Sequence, residues 1–190
     1  MEKKRFGPQI FLFPLPTVIV GALVDGRPNF NAIAYCGVAQ SVPPMLSISM
    51  DKTRYTLVGI LENRCFSVNV PSRDQLAQVD FVGTVSGRHE DKSTLFSLFY
   101  GALEKAPMID ECPVTLECAL VDVMDFGGKN DLLIGRIVGT FADEECLTRA
   151  PAGTPFPDMS RVEPIAFSRP DQGYWSLGAS LGKSGEVGRG

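Results

Sequence analysis

Met45-Leu46-Ser47-Ile48-Ser49-Met50 alternates without a break: Leu46, Ile48 and Met50 share one face of an extended chain, and Met45, Ser47 and Ser49 share the other. A period of two predicts a β-strand with one face for a core and one polar face set against solvent or a ligand. Pro43-Pro44 introduces it. Upstream, the β-branched run Thr17 to Val24 reads as a strand closed by the turn residues Asp25-Gly26-Arg27-Pro28, with Phe30 to Cys36 returning as a second strand. Downstream the period changes. Leu57, Ile60 and Leu61 fit a short amphipathic helix over Tyr55 to Asn63, with Thr53 or its polar neighbours as the cap.

Alternation resumes in Cys65 to Val70, where Phe66, Val68 and Val70 face one way and Asn69 the other. Pro71 ends that strand, and Ser72 with Gln75 three residues on caps a helix from Arg73 to Val79. Val114 towards Met124 reads as a longer strand, Phe126 to Asp131 as a turn, and Leu132 to Phe141 as the antiparallel return. Strands dominate, helices are short, and the regular strand-helix alternation of a parallel sheet is absent. So many apolar strands need their edges protected, which predicts an all-β-dominated, closed or nearly closed antiparallel barrel with short peripheral helices.

At 190 residues the chain can bury one continuous core. One domain over residues 1–181 is expected, with a glycine-rich flexible tail over 182–190. A formal charge of −4 supplies no Lys/Arg excess for a general nucleic-acid surface. The apolar run from Ile10 to Val24 is broken by Pro14 and Pro16, and Phe6-Gly7-Pro8-Gln9 interrupts any leader, so a cytoplasmic protein is expected, neither secreted nor membrane-inserted. Five cysteines without CxxC spacing suggest reduced thiols rather than a disulfide framework or a zinc site. A proline-rich loop covers residues 150–157.

Acid–base chemistry is scarce. The single histidine, His89, sits beside Glu90 and Asp91 and reads as a solvated loop residue. No serine lies in a nucleophile elbow. Gly83-Thr84-Val85-Ser86-Gly87-Arg88 lacks Walker and dinucleotide spacing. It is an ordinary surface turn or a loop offering backbone N–H groups to an anion, with Arg88 or Lys92 adding charge. Asn29, Asn31, Ser47, Ser49 and Asn69 are polar residues on otherwise apolar strands. Either they face water and turns, or they face a polar ligand.

Taken in order, Asn29 to Tyr35, Ser41 to Met50, Thr53-Arg54-Tyr55-Thr56, Cys65 to Pro71 and Ser86 to Lys92 are spaced as in a known family. From about Pro14 to Gly178 the chain resembles the flavin reductase-like, FMN-binding split-barrel family, in particular its flavoredoxin-like branch. The resemblance implies a six-stranded antiparallel Greek-key split barrel, paired as a homodimer, with FMN in each interfacial groove. It sets Asn31, Ala32, Ile33, Ala34 and Tyr35 along the flavin, and Ser47 and Ser49 near the ring or ribityl chain. Arg54 and Thr56 take the phosphate positions, and Asn69 makes a polar contact near the cofactor. The loop carrying Ser86, Arg88 and Lys92 closes over the flavin or adds phosphate contacts. No catalytic side chain and no metal ligand is implied.

Alternatives remain open at single residues. Arg54 serves a phosphate or a surface or dimer salt bridge, and Tyr35 lies beside the ring or in the core. Cys36 reads as a small apolar residue or as one that tunes the pocket or is redox-sensitive, and Tyr174 to Gly178 as packing or as a pocket or dimer wall. Val42 stands where the family commonly has Asp before Pro-Pro, a change expected mainly to alter the local turn rather than abolish cofactor binding. The resemblance implies hydride transfer from NAD(P)H to the flavin and onward to free flavin, a ferric complex or a protein acceptor. Its alternatives are an electron carrier reduced by a partner protein, or a non-catalytic flavin binder.

Overall fold

The structure, a computed structural model, describes residues 1–148 and 153–189. The part of the proline-rich loop at 150–152 and the last tail residue lie outside the described residues. Twelve strands are β1 (Leu15–Pro16), β2 (Val18–Val24), β3 (Arg27–Ile33), β4 (Cys36–Gln40), β5 (Met45–Asp51), β6 (Cys65–Val70), β7 (Leu98–Phe99), β8 (Met108–Ile109), β9 (Val114–Asp125), β10 (Asn130–Ala142), β11 (Ile165–Ser168) and β12 (Gly173–Ser176). The α-helices are α1 (Tyr55–Asn63), α2 (Leu76–Thr84) and α3 (Met159–Val162).

Seven strands form one antiparallel ribbon in the order β3-β2-β6-β9-β10-β5-β4. Its two edges, β3 and β4, are joined by Ala34 and Tyr35 alone. A flat ribbon would hold those edges about 29 Å apart, at roughly 4.8 Å per strand, whereas the link from Ile33 to Cys36 spans at most about 10 Å. The ribbon therefore rolls into a barrel, split where β3 gives way to β4. The expected six strands become seven because the chain, after leaving β3, pairs again with the far side of β5 as β4. Irregular register in the β9–β10 pair, at Ile134/Gly135 and Ile137/Gly139, adds the coiling that closure needs.

Alternation decides what fills the barrel. Leu46, Ile48 and Met50 point inward with Val18, Val20, Ala22, Ile33, Phe66, Val68, Cys118, Leu120 and Leu133. Leu57 and Ile60 of α1 join the same core. The helix can lie directly on β2 because position 59 is glycine: a Cβ there would meet the Leu23 carbonyl oxygen at 2.0 Å. On the other side of β2 and β3, a second core gathers Ile19, Phe30, Val79, Val82, Phe96, Ile109, Cys112 and Ile165 under α2 and the 93–112 segment.

Three expectations need correction. The second strand begins at Arg27, not Phe30, and ends at Ile33. Asp25 and Gly26, both at positive φ, make a two-residue hairpin turn, and Pro28 is tolerated because β3 is an edge strand. Thr53 does not cap α1; its N–H and hydroxyl both donate to Asp51 Oδ1, at 2.9 and 2.7 Å. Asn69 is spent on the fold. Its amide donates to the Ile19 carbonyl (2.9 Å) and Ser67 Oγ (3.0 Å), and its Oδ1 accepts from the Ile109 N–H (2.9 Å), which pins the 93–112 segment over the barrel wall.

The helix start expected at Ser72 is present. Gln75 Oε1 accepts from the Ser72 N–H at 3.0 Å, a 3₁₀ turn covers Arg73–Gln75, and α2 runs on to Thr84. Within the terminal segment Tyr174 packs against the second core, while Trp175 is 60% exposed. All five cysteines are free, and Cys36 packs against the barrel core, where burial pushes its thiol up to about 11.

Candidate functional site

The Tyr35 carbonyl accepts from the Ser49 N–H at 2.8 Å, which ties the β3-to-β4 crossing to β5 at the split. A pocket of ≈ 270 Å³ is formed by β3, the start of α1 and the loop after α2. Asn29 and Asn31 reach it from the face of β3 that further along points Ile33 into the barrel. Arg54, just before α1, and Tyr55 and Thr56 in its first turn reach it, and Ser86, Gly87 and Lys92 reach it from the loop.

Every one of these elements brings donors. Arg54 precedes the helix in extended conformation (φ −68°, ψ 131°), and no side chain caps the first turn. The N–H groups of that turn carry the positive end of the helix dipole. Thr56 Oγ1 accepts from Asn29 Nδ2 at 2.7 Å, which leaves the hydroxyl proton to donate elsewhere. Asn31 is 2% exposed, and its Nδ2 has no partner among the described residues. A buried amide donor left unsatisfied costs about 1–3 kcal/mol, so an acceptor belongs beside it.

Charge points the same way. Lys92 is 3% exposed, and its ammonium donates to the carbonyls of Phe30 (3.0 Å) and Val82 (2.9 Å), never to a carboxylate. Arg54 Nη1 donates to the Gly83 carbonyl at 3.1 Å. Among the described residues neither cation has an ion pair. Burial and the Arg54 charge lower the Lys92 ammonium to about 8. Among the described residues the one carboxylate on the pocket wall, Asp51, is paired with Lys129 at 2.8 Å, and hydrogen bonds from Lys129 and Thr53 hold it at about 2. Two cations without an ion pair among the described residues, beside an uncapped helix N-terminus, are an arrangement that can accept an anion such as a phosphate.

The residues expected from sequence divide into groups. Asn31, Arg54, Thr56, Ser86 and Lys92 meet in this pocket. Ile33 turns its side chain into the barrel core, and Ala32 packs towards α2. Their strand still matters at the split: the Phe30 carbonyl reaches Lys92 on the unpaired edge, and alternation puts the Ala32 N–H and C=O on that same edge. Ala34 and Tyr35 are half-buried at the crossing, and Tyr35 Oη accepts from Arg169 Nε at 3.0 Å, so this aromatic is not core.

Ser47 and Ser49 lie half-buried on the outer face of β5. Ser47 Oγ donates to the Gly37 carbonyl (3.4 Å), and Ser49 Oγ accepts from Asn130 Nδ2 (3.1 Å). Arg88 departs from its expected place, because its guanidinium lies 4.6 Å over the Tyr55 ring and lines the neighbouring groove instead. His89 is exposed on that loop. Asn69 is absent from the pocket wall, its hydrogen bonds being used beneath the 93–112 segment.

Asp51, Thr53, Tyr55, Gly87 and Lys129 line the pocket without being expected as ligands, and Asn29, expected to face either water or a polar ligand, lines it too. Two carried a readable signal. Asn29 is two residues before Asn31, and Asp51 two after Ser49, so each shares its neighbour's face. Gly87 is required where it stands, since a Cβ would meet Asn29 Oδ1 at 1.8 Å. Tyr55 and Lys129 arrive by tertiary packing alone.

The chain is similar to a flavoredoxin from Methanosarcina acetivorans, at 35% identity over 100% of this chain and 98% of that one, with a TM-score of 0.93. It is also similar to flavoredoxin of Desulfovibrio vulgaris (Miyazaki F), at 31% identity over 99% and 100% of the two chains, with a TM-score of 0.89. Among curated sequences it is 31% identical to an FMN reductase (NADH), RutF 2, of Rhizobium rhizogenes, over 60% of this chain and 63% of the relative. Residues 10–153 match the flavin reductase like domain, and with most of its length so matched the chain belongs to that family.

Proposed function

We propose that this protein is an FMN-binding oxidoreductase that holds the cofactor in the split of the barrel, its phosphate in the Arg54–Lys92 pocket. The observation that carries the reading is the pair of cations without a carboxylate partner, set beside an uncapped helix start and the unpartnered Asn31 amide. FMN fits these residues. Arg54, Lys92, the Thr56 hydroxyl and the first-turn N–H groups of α1 would hold the phosphate dianion. Asn31 and the free edge of β3 at Phe30 and Ala32 would offer hydrogen bonds to the ribityl chain and ring edge. Ser47, Ser49, Ala34 and Tyr35 would border the ring.

When bound, FMN supplies the hydride and electron exchange itself. The side chains of the protein then bind, orient and exclude water, which accounts for a site rich in donors and poor in acids and bases. Among the described residues no group of three His, Cys, Asp or Glu could hold a metal ion. No helix among them is long and apolar enough to cross a membrane.

NAD(P)H is the proposed electron donor, with free flavin, a ferric complex or a protein as acceptor. The likeness to two flavoredoxins, at 35% and 31% identity over essentially the whole chain, supports a second reading as a carrier reduced by a protein partner. Purified protein should be yellow and release a flavin of FMN mass. Anaerobic mixing with NADH and with NADPH separates the readings: prompt bleaching by either supports the reductase. No bleaching by both, with reduction by a low-potential protein, supports the carrier. Protein that neither retains nor takes up FMN overturns both.

A homodimer belongs to the proposal. Half-exposed Met45, Leu132 and Ile134 line the outer face of β5 and β10 beside the split, and a second copy packed there would cover apolar surface and wall the ring site. Light scattering should give twice the chain mass. A monomer that binds FMN tightly removes the partner from the site.

A further inference from the structure

We propose that Lys129, on the turn between β9 and β10, is a third cation of the phosphate pocket and contacts the flavin phosphate directly. The proposal rests on the assignment of the Arg54–Lys92 pocket to that phosphate. Lys129 and Asp51 both line the pocket, and the Lys129 ammonium lies 2.8 Å from Asp51 Oδ2. An ammonium carries three donors, and Asp51 is the one ion-pair partner of Lys129 among the described residues. The side chain is 80% exposed, so its remaining N–H groups are open to an anion in the pocket.

The surrounding charges are engaged elsewhere, which leaves Lys129 to the pocket. Lys52 pairs with Asp125 at 2.7 Å and with Asp131 at 3.6 Å, so both acids that flank the turn are occupied. The Lys52 N–H donates to the Lys129 carbonyl at 3.1 Å, and Asp125 Oδ1 accepts from the Gly127 N–H at 2.7 Å. These bonds fix the backbone beneath Lys129 at the pocket rim. Asp51 Oδ1 is taken by the Thr53 N–H and hydroxyl, so Oδ2 is left to orient the ammonium. Charge on the wall supports the assignment. Arg54 and Lys92 against Asp51 leave one positive charge for a phosphate monoester that carries about −1.5 to −2 at pH 7. With Lys129 the wall supplies a second, and the match to a dianion is complete.

The test is titration of flavin-free protein with FMN and with riboflavin, followed by quenching of flavin fluorescence, in wild type, Lys129→Gln, Asp51→Asn and the double variant. Removing Lys129 takes a donor from the phosphate and also uncovers the Asp51 carboxylate. The Asp51→Asn background separates these effects, because asparagine keeps an acceptor for Lys129 and lacks the charge. Within that background, adding Lys129→Gln should weaken FMN about fivefold, the upper end for an exposed ion pair, and leave riboflavin unchanged. Equal FMN Kd in Asp51→Asn and the double variant overturns the proposal, since Lys129 then acts only by masking Asp51. Equal weakening of FMN and riboflavin also overturns it, because the lysine then shapes the turn and not the phosphate site. FMN bound no tighter than riboflavin by the wild type overturns the phosphate pocket and this assignment with it.

Discussion

Lys92 Nζ donates to the Phe30 carbonyl at 3.0 Å, across 62 residues of chain, and so fastens the loop after α2 to the free edge of β3. The same ammonium faces the pocket with Arg54, and that double duty sets its titration. Its value in the folded protein, about 8, is depressed from 10.5 by burial and by the Arg54 charge. The folded protein thus binds this proton more weakly than the unfolded chain does. Its contribution to stability is present above pH 10.5 and is lost as pH falls through about 8. A bound phosphate demands the charged form, so affinity runs the other way. The ratio of FMN to riboflavin affinity should fall roughly tenfold or more between about pH 7 and 9.5. Titrations at the two pH values check this, and a ratio that stays flat would take Lys92 out of contact with the phosphate.

Arg54→Ala should weaken FMN while sparing riboflavin. A hydrogen bond to a charged group contributes about 1.5–3 kcal/mol, which is tenfold to roughly a hundredfold in Kd. Isothermal titration with both flavins reads the difference. Equal losses for the two would mean that Arg54 acts through its bond to the Gly83 carbonyl and not on a phosphate.

Gly87→Ala tests the shape of the pocket. The new Cβ cannot coexist with Asn29 Oδ1, and Asn29 cannot move without losing its bond to Thr56. Overpacking of this kind costs roughly 1–3 kcal/mol, and the loss should appear in FMN affinity measured by equilibrium dialysis. Unchanged affinity would show that the Asn29–Thr56 pair is irrelevant to the ligand.

Asn69→Ala should do the opposite, lowering stability and leaving FMN affinity alone. Three hydrogen bonds to buried partners are lost, and each stranded partner costs about 1–3 kcal/mol. Thermal unfolding monitored by circular dichroism should show a clear fall in Tm. A full-strength fold with weakened FMN would restore Asn69 to the site.

Much of the architecture could be read before folding. Strict alternation from Met45 to Met50 identifies the strand and assigns its inner face, and the change of period at Tyr55 marks a helix that runs, as expected, to Asn63. Cys65–Val70 also forms a strand with the bounds expected of it. These are local properties, set by side-chain period and turn chemistry within a few residues. Pro28 escaped because a proline in a strand is acceptable only at an edge, and which strand is an edge is a fact about the whole ribbon.

Asn31, Asn69 and Arg88 mark the boundary between the two kinds of knowledge. Each is a polar residue in a block that resembles the same family, and nothing local separates their roles. Folding leaves the Asn31 amide unpartnered at the pocket, encloses Asn69 with Ile19, Ser67 and Ile109, and lays Arg88 on Tyr55 in the next groove. By itself the sequence determined the strand faces, the short helices and the family they suit, because these depend on neighbours along the chain. Only the tertiary structure decided which polar groups keep a free valence and which cations lack a counter-charge, because a buried donor is satisfied or left over according to partners that lie tens of residues away.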